Sequence, residues 1–227
     1  MLRNMVFLTA LGLTVLIVFG VTTLAADARV VLTDNFDTYY PSIWYKSDYQ
    51  GPDGTLFLPD HALYNGGAVT LASNIRDHSG SQLETWNMYP YGSYSARMKL
   101  FMNEGNVMSF FVYDGRPENQ HQIDFEFYKE GGQNYVFFVS HNGGRQNSYL
   151  YKLPFDPWAS YHTYMFKWYP DRVEYYIDNK KLWVSTGDSI PDGPCSVLFN
   201  NWVLNSAESS TDKYGLLCVD SVCVDVF

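Results

Sequence analysis

The chain has 227 residues, with 24 acidic against 15 basic side chains and a formal net charge of -9 at pH 7. Its pI near 4.9 argues against nucleic acid and anionic membrane surfaces as partners, since both attract clustered positive charge. A neutral polymer remains compatible.

Residues 1–28 read as an export signal. Arg3 supplies the positive start, Met5 to Val21 carry no charge, and Thr23-Leu24-Ala25 or Ala26-Asp27-Ala28 offers small residues for cleavage. The expected location is therefore secreted or periplasmic, with no membrane attachment once the signal is cleaved. No second apolar run is long enough to span a bilayer. Residues 29–227 form one domain by the usual size range, with enough chain for a sizeable core. That domain is expected to be a monomer.

The remainder reads as strand after strand. No stretch keeps a 3.6-residue apolar period for more than about two turns. Turn signals recur at Pro52-Asp53-Gly54, Asn65-Gly66-Gly67, His78-Ser79-Gly80, Asn103-Glu104-Gly105, Glu130-Gly131-Gly132, Asn142-Gly143-Gly144 and Pro191-Asp192-Gly193. Val173 to Ile177, Asp178-Asn179 and Lys180 to Val184 spell a two-residue hairpin. The pattern predicts an all-β fold: a two-sheet antiparallel sandwich of the jelly-roll kind. Aromatics make up 18% of the chain, which suits strands and leaves rings that can stack on sugars.

Three cysteines are present: Cys195, Cys218 and Cys223. Cys218 and Cys223, five positions apart on one strand, should face opposite sides and not pair with each other. Cys195 could reach either, and the odd count leaves at least one thiol unpaired in the chain. Neither a CxxC nor an HExxH spacing occurs, so catalytic zinc is not expected.

The most informative stretch is His121-Gln122-Ile123-Asp124-Phe125-Glu126-Phe127. Its strict alternation sends Ile123, Phe125 and Phe127 into a core and leaves Gln122, Asp124 and Glu126 in a row on the other face. The row spans roughly 13 Å between Cα atoms, and long side chains at its ends can lean together over the shorter Asp. An acid and a nucleophile could flank one bond in this way, with the central carboxylate tuning both. The same alternation also describes a plain solvated strand face.

This stretch resembles the active-site strand of glycoside hydrolase family 16, where Glu-X-Asp-X-Glu supplies nucleophile, assisting Asp and acid/base. The resemblance puts Glu126 at the acid/base, Asp124 at the assistant and Gln122 where the family has its nucleophilic Glu. Further motifs match. Tyr94-Ser95-Ala96-Arg97-Met98-Lys99, Ser109-Phe110-Phe111-Val112-Tyr113, His162-Thr163-Tyr164 and Asn200-Asn201-Trp202 resemble family strands. The likeness implies that Phe111, Tyr113 and Trp202 stack on sugar rings, and that Asn200 and Glu84 bind hydroxyls. Trp86, on the face of Gln82 and Glu84, departs from the Arg of lichenases but joins the expected binding residues. His162 reads as structural. Asp220 falls where lichenase-like members bind a structural calcium. No cofactor is implied for catalysis.

The likeness covers residues 80–227 well and 30–80 poorly. The catalytic strand lacks the extra residue of laminarinase-type members, and the chain stops without the extension of xyloglucan transferases. Both features imply a lichenase-like member acting on or binding β-glucan, with β-1,3-1,4-glucan favoured. An inactive glucan-binding protein on the hydrolase scaffold and a xyloglucan-directed member are the alternatives, because an amide at position 122 cannot serve as the nucleophile of a retaining glycosidase.

Overall fold

The computed structural model describes residues 29–116 and 120–227; the expected export signal lies outside them. Among the described residues sixteen strands form: β1 Arg29–Asp34, β2 Trp44–Lys46, β3 Leu56–Phe57, β4 Ala62–Tyr64, β5 Val69–Asn74, β6 Ser79–Tyr89, β7 Gly92–Phe101, β8 Asn106–Tyr113, β9 His121–Glu130, β10 Gln133–Asn142, β11 Arg145–Lys152, β12 His162–Trp168, β13 Arg172–Ile177, β14 Lys180–Thr186, β15 Cys195–Val203 and β16 Tyr214–Val226. Every pairing is antiparallel except the two-residue contact of β3 with β6. One sheet runs β11-β10-β9-β8-β15-β6, with β2 on its β6 edge. The other runs β5-β16-β7-β12-β13-β14, with β1 pairing β16 and β4 pairing β5. We call them the cleft sheet and the backing sheet. Strand β6 joins them: Ser79 pairs with Asn74 of β5, while Ser81–Tyr89 follow β15.

Apolar residues at alternate positions explain the layering. Ile123, Phe125 and Phe127 of β9, with Phe110, Phe138 and Phe199, are fully buried on the inner face of the cleft sheet. They meet Tyr164, Phe166 and Tyr175 of the backing sheet, with ring centroids 4.8 Å apart for Phe127–Tyr164, 5.5 Å for Phe110–Phe166 and 5.5 Å for Phe125–Tyr175. Aromatic contacts of this kind add about 0.5–1.5 kcal/mol each beyond area burial. The fold is thus the expected jelly-roll sandwich.

Two local features show sequence and structure side by side. The β13–β14 hairpin turns on Asp178 and Asn179, both left-handed at φ 49° and 63°, a conformation Asp and Asn tolerate best among non-glycine residues. In β16 the pairing with β7 slips between Val219 and Ser221. That bulge adds one residue, so Cys218 and Cys223 lie on the same outer face, not opposite ones; sequence alternation alone does not show it. All three cysteines are free thiols, and burial pushes the Cys195 thiol pKa up.

Candidate active site

The outer face of the cleft sheet carries the site. Cross-strand register arranges its residues in rows. In one row Gln82 (β6), Asn200 (β15), Ser109 (β8) and Glu126 (β9) are successive partners. The next holds Glu84, Leu198, Phe111 and Asp124, and a third places Tyr113 opposite Gln122. Together with Trp202 and the loop residues Tyr49 and Pro52 they line a cleft of about 490 Å³. Gln122, Asp124 and Glu126 therefore sit in a row on its floor, as alternation implies.

Burial sets their chemistry. Asp124 is 1% exposed, wedged under the longer side chains beside it. Its pKa is pushed well up by burial and then by the Glu126 charge, against the hydrogen bond that Gln122 Nε2 donates to Asp124 Oδ1 at 2.7 Å. The central carboxyl thus leans toward its neutral form. Burial also raises the pKa of Glu126 and of Glu84, the latter opposed by a hydrogen bond with Ser196. Glu126 is accordingly held protonated to higher pH than an ordinary carboxyl, the state a general acid needs. The Gln122 amide donates a hydrogen bond but offers neither nucleophile nor charge.

The walls are aromatic and amide. Phe111 is buried yet belongs to the cleft, while Tyr113 and Trp202 are half-buried along it. Asn200 Nδ2 lies 3.5 Å from Gln82 Oε1, and Gln82 Nε2 donates to Tyr49 OH at 2.7 Å and to Ser47 Oγ at 3.0 Å. Asn200 lines the cleft, and its Oδ1 is buried without a hydrogen-bond partner among the described residues. Tyr49 and Ser109 were not singled out by sequence. Tyr49 precedes the Pro52-Asp53-Gly54 turn in the poorly matched region, and its place depends on Gln82, 33 positions away.

Trp86 does not enter this cleft. Between Thr85 and Asn87 strand β6 bulges: Glu84 and Met88 pair with Leu198 and Ser196, so that three residues of β6 stand against Val197 alone. Thr85 Oγ1 turns inward to accept from Val197 N–H and donate to Asn87 O. Trp86, 59% exposed, leans on Tyr45 at 5.1 Å beside a neighbouring hollow that shares Glu84 and Gly115 with the cleft.

Asp220 sits on the backing sheet away from the cleft, and its carboxylate is taken by Arg97. Among the described residues no three His, Cys, Asp or Glu side chains gather as a metal site. Calcium takes six or more oxygens, and the Asp220 carboxylate is here engaged by Arg97. His162 is structural as read: Asp178 Oδ2 lies 2.6 Å from its Nδ1, Ser160 Oγ 3.0 Å from its Nε2, and Phe155 stacks on it at 4.0 Å.

Residues 55–219 match the family model described as Glycosyl hydrolases family 16, and the chain belongs to that family. A Beta-glucanase of Acetivibrio thermocellus is 34% identical over 185 residues, covering 76% of this chain and 53% of that protein. A Beta-glucanase of Bacillus subtilis is 28% identical over 213 residues, covering 88% and 86%. The chain spans about half the length of the Acetivibrio thermocellus relatives. Among solved structures, a prokaryotic beta-1,3-1,4-glucanase (lichenase) derived from a mouse hindgut metagenome superposes with a TM-score of 0.75 at 25% identity, covering 86% of this chain and 99% of that one.

Proposed function

We propose that the cleft binds β-glucan, with β-1,3-1,4-glucan the favoured form, and that Gln122 stands at the position of the family's nucleophile and leaves hydrolysis severely impaired. The observation that carries the reading is the floor of the cleft. Glu126 is held toward its protonated state by burial, Asp124 is partnered by an amide, and the third side chain in the row is that amide. A retaining glycosidase needs two carboxyl groups about 5–5.5 Å apart, one to protonate the leaving oxygen and one to form the glycosyl-enzyme. Here the first is present and the second is replaced by a group of nearly equal volume and no charge.

Binding is supported by different residues. Phe111, Tyr113 and Trp202 offer apolar rings to the apolar faces of pyranoses, and Asn200 Oδ1 offers an unspent acceptor to a sugar hydroxyl. The similarity to proteins named as beta-glucanases supports a glucan over other polymers. Calorimetric titration of barley-type β-1,3-1,4-glucan, alongside reducing-sugar release, tests the reading. The expected result is saturable binding with little or no turnover. Robust hydrolysis that survives Glu126→Gln places the chemistry elsewhere, and no binding to any β-glucan removes the reading.

A further inference from the structure

The cleft stops at the catalytic strand. Its strand lining comes from β6, β15, β8 and β9, and no residue of β10 or β11 is among its lining residues. A glycan lying in it and passing over Glu126 must continue across those two strands. The outer face there carries an apolar strip, bordered by Lys152 opposite Tyr135 and Ser148 opposite Val139. Phe137 is the direct cross-strand partner of Glu126, and Tyr135 that of Tyr128, which stands two residues beyond Glu126 on the same face. Tyr128 stacks with Tyr135 at 5.5 Å and 20° between planes, and with Phe137 at 5.7 Å and 19°. All three rings are half-buried, and Leu150, the partner of Phe137 on β11, is 43% exposed.

We propose that Tyr128, Tyr135 and Phe137 form a second sugar-stacking platform. It holds the part of a β-glucan chain lying on the far side of Glu126 from the cleft. The proposal rests on the glucan-binding reading and deepens it by giving the site two arms on either side of β9. Continuity is the argument for this occupant. Opposed residues on an antiparallel pair bring their side chains to about 4.5–5.5 Å, so the Phe137 ring adjoins the carboxyl that would protonate the leaving oxygen. The three rings are near-parallel and stacked on one another, with centroids 5.5 and 5.7 Å apart, and so form a pre-ordered apolar strip against which the apolar face of a β-linked pyranose can pack. On the outer side of the backing sheet Lys99 covers the loop residue Trp158 at 4.4 Å, and Lys167 and Lys181 cover Tyr176 at 5.5 and 5.6 Å.

The test is the dependence of affinity on chain length. Mixed-linkage trisaccharide and hexasaccharide are titrated calorimetrically into Glu126→Gln protein, so that no sugar is cleaved, and into the same protein carrying Phe137→Thr, Tyr135→Thr or Trp202→Ala. Threonine keeps a strand-forming residue, and unchanged melting temperatures verify the fold. The parent should bind the hexasaccharide about ten-fold more tightly than the trisaccharide, the scale of one stacked ring. Phe137→Thr and Tyr135→Thr should each remove most of that ratio and spare the trisaccharide, whereas Trp202→Ala should weaken both ligands. A length gain untouched by Phe137→Thr and Tyr135→Thr overturns the platform. So does a parent that binds both lengths equally, and then the cleft reading stands. Failure to bind either sugar removes both readings. A parent that is dimeric by sedimentation and becomes monomeric on Phe137→Thr, with the length gain intact, assigns the strip to a second copy of the chain.

Discussion

Gln122→Glu is the most informative single change. The Gln122 amide now donates to Asp124 Oδ1 at 2.7 Å. The substitution alters almost no volume but sets a carboxylate against a carboxyl that has no cationic partner among the cleft residues. Two full charges at that distance would repel by about 6 kcal/mol at an effective dielectric near 20, more than the cost of protonating one of them. The pair should therefore share a proton, and an O–H···O bond replaces the N–H···O bond. Asp124, already pushed toward its neutral form by burial, is the natural holder of that proton. The new carboxylate is then free to attack, while Glu126, its pKa raised further by a third acid, stays protonated as general acid.

Turnover of β-1,3-1,4-glucan should rise at least about 10³-fold, equivalent to roughly 4 kcal/mol of transition-state stabilisation. The first product, followed by proton NMR, should retain its anomeric configuration. Stability should move the other way. A shared proton is a raised carboxyl pKa, and the stability linked to it is lost as pH rises through the folded-state value. The melting temperature of the variant should thus fall further below the parent's at pH 9 than at pH 5. A folded, glucan-binding variant that remains inert refutes the reasoning, because it shows that the cleft lacks more than a nucleophile.

Three further outcomes follow from the same geometry. Asp124→Asn keeps the bond with Gln122 and removes a buried acid, so it should raise the melting temperature at pH 8 and lose that advantage as pH falls through the raised Asp124 pKa; a gap that widens on acidification contradicts the assignment. Asn200→Ala should weaken glucan binding by about 0.5–1.5 kcal/mol by calorimetry, one hydrogen bond's net worth, and unchanged affinity excludes it from the site. For Asp220→Asn, the loss of an exposed ion pair with Arg97 predicts under about 1 kcal/mol of destabilisation by denaturant titration and no effect of chelator on the parent; a chelator-induced drop in melting temperature would establish a bound cation.

Much of this was legible in the sequence where the two-residue period is unbroken. In β9 the alternation names both faces, and Phe125 and Asp124 lie on the sides it assigns. Where the period breaks, reading fails for a physical reason. Trp86 shares a parity with Gln82 and Glu84, but the bulge at Thr85–Asn87 carries it out of the cleft. The Asp220 bulge reverses the expected relation of the two cysteines on β16. In β10, Tyr135-Val136-Phe137-Phe138-Val139 is apolar throughout, so sequence does not say that Phe138 belongs to the core and Phe137 to the surface. Tyr49 was invisible because its role depends on a partner brought by the fold, not on a local motif.

The identity of residue 122 also bears on why this cleft is stable as it stands. Glu84, Asp124 and Glu126 line it with no lysine or arginine among the lining residues, and burial raises the pKa of all three. Each would charge at a cost to the fold as pH rises. A carboxylate at position 122 would add a fourth acid to that set and remove the side-chain donor that Asp124 Oδ1 has among the described residues. The amide does the reverse: it satisfies the buried Oδ1 and carries no charge. A cleft selected for turnover accepts the electrostatic burden because the transition state needs the nucleophile. One selected for holding a neutral polymer gains nothing from it. Stability and the proposed loss of chemistry therefore point in the same direction at this residue, and the Gln122→Glu protein should be at once more active and less stable in alkali.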